Sequence, residues 1–440
     1  MDNLNSSYSI GLDLGTSSAK GVLLSRNSEV VKEFSARFEL YEASLHGGSK
    51  YIGIDTEKYY YTICKVIKKL AQAVPSMAIK GLAIVSASGN TLLCNRYGEP
   101  LIKAYSWLNE PMNQEVKTIL GDIDREELAH ISGWQFYSTF PLAHLSHVKV
   151  NEQELLKKAE RVCMTTEYVL FKLTGKWGID RSTATPSYLY NQLSEKWHMP
   201  FLSRLNIPVE KLPAIYDSGY QLGYISTDSS RDTGLAEGTK VFLGCFDHPA
   251  AARANGITKQ GQLLISCGTS WVCFFPHNNR DMILQQKLLC DPFLSPNGEW
   301  GAMFSLPQIG KKIDSIISRY ISNERNKFKR FDNLASQAKP DAIGLKINPM
   351  VDIEGDLSDY PQESIARATM EGTAYALKER LNALAECGIS FKSALMAGGP
   401  SKSKVWLKTL SEILGIDIKV IFGEYSGAVG AAKFVPVHKQ

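Results

Sequence analysis

The sequence predicts a duplicated α/β protein folded as two domains, and three observations carry that prediction. The chain has 440 residues, more than one hydrophobic core usually supports. The turn Asp13-Leu14-Gly15-Thr16-Ser17-Ser18, between the apolar runs Tyr8–Leu14 and Ala19–Leu24, returns in shortened form as Cys267-Gly268-Thr269-Ser270 between Gln262–Ser266 and Trp271–Phe275. Strand and helix patterns alternate in both halves, the order that builds layered α/β sheets.

The elements follow in order. Residues 8–38 read as strand, turn, strand and a third β-rich run, a meander. Asp55 and Thr56 offer caps to a helix reaching Ala73, and Ile79–Ser86 is an apolar strand starting just after Pro75. Leu101–Trp107 reads as a further strand, and residues 112–173 as largely helical, closing at Gly175. An apolar strand at Thr239–Phe246, a small-residue helix over Pro249–Asn255 and the second hairpin look like a fresh start. This sets the expected domains at 1–237 and 238–440, with a cleft between them. Residues 281–361 carry no clear pattern. A helix from Pro361 to Cys387, a strand at Ser393–Met396, a helix over Ser403–Leu414, a strand at Ile416–Ile421 and a helix from Gly427 complete the α/β order.

Composition narrows the class. Hydrophobic residues make up 44% and charged residues 21%, the balance of a folded globular chain, and the net charge of +4 is too small and dispersed for a nucleic-acid partner. The basic stretch Asn323–Arg330 reads as a solvated helix end or loop. The eight cysteines lack Cys-x-x-Cys spacing, so they read as buried thiols of a reducing compartment. No signal core and no run of membrane-spanning length is present, which points to a cytoplasmic protein without a membrane partner. His144 and His147 read as helix-surface residues rather than a zinc site. Trp300 and Trp406 read as packing residues.

The chemistry gathers at four places. Asp13 ends a strand between Gly11 and Gly15, so its carboxylate can face a closely approached ligand, which suits magnesium held through water. Gly15, Thr16 and Ser17 offer N–H and hydroxyl donors to the terminal phosphates of ATP, and Gly268-Thr269-Ser270 presents the same small, donor-rich tip. Gly398-Gly399 lies between a strand and a helix, where backbone can pass close to a nucleotide. Asp247 stands where an apolar strand becomes a helix of small residues. It can cap that helix, or accept a proton from a substrate hydroxyl.

Taken in order, these motifs, with Ala397-Gly398-Gly399-Pro400-Ser401-x-Ser403-x-x-Trp406, closely resemble the FGGY carbohydrate kinases of the actin, hexokinase and Hsp70-like ATPase superfamily. The resemblance extends to Thr166–Gly175, Asp180–Ala184 and Ser426–Ala432 and spans nearly the whole chain. It implies two actin-like (ribonuclease H-like) domains and an ATP- and magnesium-dependent sugar kinase, with Asp247 as catalytic base and Asp13 supporting the metal. It further implies that Thr16, Ser17, Gly268 and Thr269 contact the β- and γ-phosphates, that Gly398 and Gly399 approach the α-phosphate and ribose, and that Ser403 lies near the adenine. A homodimer is compatible with it.

The sugar side departs from the family pattern. Where many members carry Trp-x-Asp-x-Arg, this chain reads Trp107-Leu108-Asn109-Glu110-Pro111, and Ser86–Thr91 lacks the usual histidine or arginine. Asn90, Trp107 and Asn109 remain candidate contacts to a small sugar or polyol, Trp107 equally a core residue. A ketopentose such as xylulose or ribulose heads the expected acceptors, ahead of longer ketoses, deoxyketoses, aldonates and glycerol. The competing readings are a catalytically weak sugar and nucleotide sensor, and an actin-like or Hsp70-like ATP-switched binding module.

Overall fold

The computed structural model describes residues 7–44, 50–351, 355–421 and 423–437. It divides into two compact units. Unit 1 is Met1–Asn255 with Lys287–Pro296 and Tyr425–Gln440, and unit 2 is Gly256–Gln286 with Asn297–Glu424.

Unit 1 is built on a six-stranded sheet of β1 (Tyr8–Leu14), β2 (Ser18–Ser25), β3 (Val30–Arg37), β4 (Ile79–Ser86), β5 (Gln221–Tyr224) and β6 (Lys240–Phe246), in spatial order β5-β6-β4-β1-β2-β3. The three N-terminal strands form the expected antiparallel meander, and β4 and β6 add in parallel beyond β1. β1 is apolar almost throughout because both its faces are covered. On one face the Thr56–Ala71 helix, capped by Asp55, seats Ile63, Val66, Ile67 and Leu70 in one core with Leu12, Leu23 and Ile84. On the other, the Ser426–Ala432 helix packs Ala428 and Ala432 against Val22 and Leu24, so close that Gly11 has no room for a side chain.

Unit 2 repeats the plan with β7 (Gln262–Cys267), β8 (Trp271–His277), β9 (Trp300–Leu306), β10 (Ser393–Gly398) and β11 (Asp417–Val420). β7, β8 and β9 form an antiparallel meander, and β10 and then β11 add in parallel beyond β7. The repeated hairpin thus belongs to a repeated sheet. Trp406 packs at 4% exposure with its ring 5.5 Å from that of Trp271, as a packing residue should. Seven of the eight cysteines are buried and Cys387 is half-buried. No helix among the described residues is long and apolar enough to cross a membrane.

Four expectations need correction. The division does not fall at 237/238: β6 pairs with β4 and β5 in the first sheet, so unit 1 runs on to Asn255 and is closed by the C-terminal helix. The strand expected over Leu101–Trp107 shrinks to Ala104–Tyr105. Residues 281–361 hold β9 and the helices Ile309–Tyr320 and Lys327–Gln337. His144 is fully buried, its Nδ1 3.0 Å from Thr91 Oγ1, and burial pushes its pKa down to about 3, so the ring is neutral.

Candidate active site

Three parallel strands of unit 1 end side by side. Leu14 of β1 and Phe246 of β6 both register against Ser86, the last residue of β4, which places Asp13 and Asp247 at the same carboxyl edge. Carboxyl edges of parallel strands are where α/β sheets present ligands, because the chain must turn away there and leaves its termini open. The hairpin tip closes with Gly15 N donating to Ser18 O at 3.0 Å, leaving Thr16 half-buried and Ser17 exposed.

Asp13 is an uncomfortable anion. Burial and the negative charge of Asp247 push its carboxyl up to about 7, against a smaller lowering from Lys20, its direct cross-strand neighbour. Its back is held by Gly427: a Cβ built there would lie 2.5 Å from Asp13 Oδ2. Gly430 of the same helix meets Ala250 of the Asp247–Ala254 helix more closely still, with 2.0 Å from such a Cβ to Ala250 O. Small residues in the C-terminal helix therefore set both acids, a role that only long-range packing reveals.

Asp247 is the first residue of its helix, with its side chain 26% exposed. One carboxylate oxygen accepts from His248 N at 2.7 Å, and Oδ2 takes no hydrogen bond among the described residues. The strand end behind it is clamped. Phe246 N donates to Ser182 Oγ at 3.0 Å, and Ser182 donates to the fully buried Asp291 at 2.6 Å, which also accepts from Phe293 N at 2.8 Å. Arg253, at the far end of the helix, donates to Phe293 O. Sequence reading missed Asp291, whose only local signal is an acid in an apolar run.

The acceptor-side candidates do different work. Asn109 is buried, with Oδ1 accepting from Ile52 N at 2.7 Å and Nδ2 donating to Ile52 O at 2.9 Å and Ser106 O at 2.6 Å. Its amide is a strut matched to backbone, where an aspartate could not donate. Asn90 is also buried, and its Oδ1 accepts from Thr165 N at 2.7 Å at the start of the Thr165–Thr174 helix. Trp107 is no core residue: it is 37% exposed, and its indole N–H donates to Thr16 Oγ1 at 3.3 Å. Glu167, on the Thr165–Thr174 helix, is buried, with Oε2 accepting from Met164 N at 2.6 Å and Oε1 unpartnered among the described residues. Burial pushes its pKa up to about 8.

In unit 2, Cys267 of β7 registers against Gly398 of β10, so the two glycine turns lie at one carboxyl edge, both exposed. Gly398 has φ +104° and no space for a Cβ against the Cys267 backbone, whereas Gly399 has φ −54° and open space. Gly310 N donates to Thr269 O at 2.9 Å, so the Ile309–Tyr320 helix braces the second tip, another contact invisible locally. Ser403 is buried and caps the Lys404–Leu414 helix, accepting from Trp406 N at 3.4 Å.

No group of three or more His, Cys, Asp or Glu among the described residues could hold a metal by itself. Magnesium asks for less, one or two carboxylates completed by water and substrate phosphate oxygens. The Asp13 carboxylate, strained by burial and by Asp247, fits that demand.

Comparison with known proteins decides the family. The model of the N-terminal domain of the FGGY family of carbohydrate kinases matches residues 8–253, and that of its C-terminal domain matches residues 333–435. The chain belongs to the FGGY family of carbohydrate kinases. This FGGY kinase is a phosphotransferase with an alcohol acceptor, acting on small sugar-class molecules, and the family implies ATP as donor. It is 24% identical to a xylulose kinase of Staphylococcus xylosus, covering 98% of this chain and 91% of that one. It is 20% identical to a gluconokinase of Bacillus subtilis, covering 97% and 86%. The crystal structure of xylulose kinase from Rhodospirillum rubrum superposes with a TM-score of 0.86 at 21% identity, covering 98% and 90%. The fold is thus the two-domain actin-like one.

Proposed function

We propose that this kinase transfers the γ-phosphate of ATP to a hydroxyl of a ketopentose of the xylulose or ribulose type. The observation that carries the reading is the pair of acids at one sheet edge: Asp247, with an oxygen unengaged, and Asp13, held against Gly427. The xylulose kinases among its relatives support the ketopentose.

In this reading the acceptor oxygen attacks the γ-phosphorus, the bond from γ-phosphorus to the β–γ bridging oxygen breaks, and ADP leaves. The hydroxyl proton passes to Asp247, which acts as base and orients the acceptor. Phosphoryl transfer has a loose, charge-spread transition state, so alignment and donors outweigh the base. Gly15, Thr16 and Ser17 supply donors to the terminal phosphates, and in unit 2 Gly268 and Thr269 present theirs to phosphate while Gly398 and Gly399 admit the nucleotide closely. Magnesium, held by Asp13 through water, would neutralise phosphate charge. Ser403 supports the nucleotide turn as a helix cap. Asn90 and Asn109 shape the acceptor side through the backbone they hold, and the exposed face of Trp107 meets the acceptor.

ADP release measured across ketopentoses, longer ketoses, aldonates and glycerol tests this. Release stimulated most by a ketopentose and lowered by about 10²–10⁴ in Asp247→Asn is expected. Stimulation by an aldonate or glycerol alone overturns the ketopentose, and release independent of any acceptor overturns the kinase site.

A further inference from the structure

The contact between Trp107 and Thr16 joins two residues that the sequence assigns to opposite substrates. An indole nitrogen has a hydrogen and no lone pair to offer, so it can only donate. The 3.3 Å contact therefore makes Thr16 Oγ1 the acceptor. A threonine hydroxyl has one hydrogen. With an oxygen lone pair engaged by the indole, that hydrogen is turned away from Trp107, and the hydroxyl is held as a donor to whatever faces the hairpin tip.

We propose that Trp107 is a positioning residue for phosphoryl transfer: its N–H fixes the Thr16 hydroxyl as a phosphate donor, while its exposed ring remains an acceptor-side surface. The inference rests on the reading of Thr16 as a phosphate contact. Edge and face of one side chain then serve different substrates, and the roles are separable by substitution. The remainder of the tip is set independently, by Gly15 N to Ser18 O and by Phe38 N to Ser17 O at 2.9 Å, so losing the indole N–H leaves the turn itself intact.

Trp107→Phe keeps an aromatic face and removes the donor. We expect kcat to fall about tenfold and KM for ATP to rise about threefold, with KM for the acceptor unchanged within twofold, the loss of one oriented hydrogen bond. Thr16→Val should reproduce the ATP-side losses, Thr16→Ser should restore most of them, and Trp107→Phe combined with Thr16→Val should be no worse than Thr16→Val alone. Melting temperatures check that each variant folds. If Trp107→Phe raises only the acceptor KM, or if the two losses add, the positioning role is wrong and the site stands. If Thr16→Val leaves every ATP parameter unchanged, the phosphate reading of the hairpin itself fails.

Discussion

Asp13 and Asp247 stand at the carboxyl ends of β1 and β6 with only β4 between them, and the charge on Asp247 helps push the Asp13 carboxyl up to about 7. The two acids therefore oppose each other until a cation or a proton intervenes. Asp247→Asn removes the like charge and, in the proposed mechanism, the base together. Turnover should fall by about 10²–10⁴, while magnesium-ATP affinity, read by calorimetry, should hold or tighten. Weaker nucleotide binding in this variant would contradict the repulsion.

Gly427 leaves Asp13 no slack. Gly427→Ala would drive a methyl group into the carboxylate, and the cost expected of overpacking is about 1–3 kcal/mol. The melting temperature should drop and magnesium-ATP binding should weaken with it.

Gly398 and Gly399 separate fold from ligand. Gly398→Ala forces a side chain onto a left-handed backbone against Cys267 and should destabilise the protein. Gly399→Ala meets open space at an ordinary φ, so the melting temperature should stay put. A rise in KM for ATP of about fivefold or more in that variant would mark the close passage of nucleotide; no change would place the nucleotide elsewhere.

Glu167 gives stability a pH signature. Its pKa rises from 4.5 to about 8 on folding, so between those values the folded state holds a proton that the unfolded state has shed. Stability contributed by this group is complete below about pH 4.5 and drains away as pH climbs through 8. Glu167→Gln, neutral at every pH, should match the parent in unfolding free energy at pH 5 and exceed it at pH 9 by about 4 kcal/mol. A constant gap across that range would refute the buried proton.

Asn109 tests the departure from the family pattern. Asn109→Asp restores the residue type common in relatives but strips both amide donors from Ile52 O and Ser106 O and buries a charge. A loss of roughly 3 kcal/mol is expected, with no broadening of the acceptor range in the ADP-release panel.

Much of this was legible in the residues. Ile79–Ser86 is a strand with the bounds that its apolar run suggests, and the helix expected over Pro361–Cys387 occupies Gln362–Glu386. Such elements write their period into neighbouring residues. Pairing is not local, and β6 shows the consequence: its apolar run reads as a strand but carries nothing that says which sheet receives it, so the division was misplaced. The same holds for side chains. Asn109, Asn90 and Ser403 have the right chemistry to touch ligands, yet the two asparagines are engaged by backbone brought from elsewhere in their unit and Ser403 by the first turn of its own helix. Gly310 and Asp291 have no conspicuous sequence context, and Gly427 stands out only as part of a glycine-alanine helix, because the work of all three depends on what is packed against them.

The Ser426–Ala432 helix that backs Asp13 is translated only after all of unit 2. The first hairpin and the strands beside it can form early on the ribosome, but the wall that seats the acid is made only once unit 2 has been synthesised. A nascent or truncated polypeptide that stops short of this helix consequently lacks the wall against which Asp13 is seated.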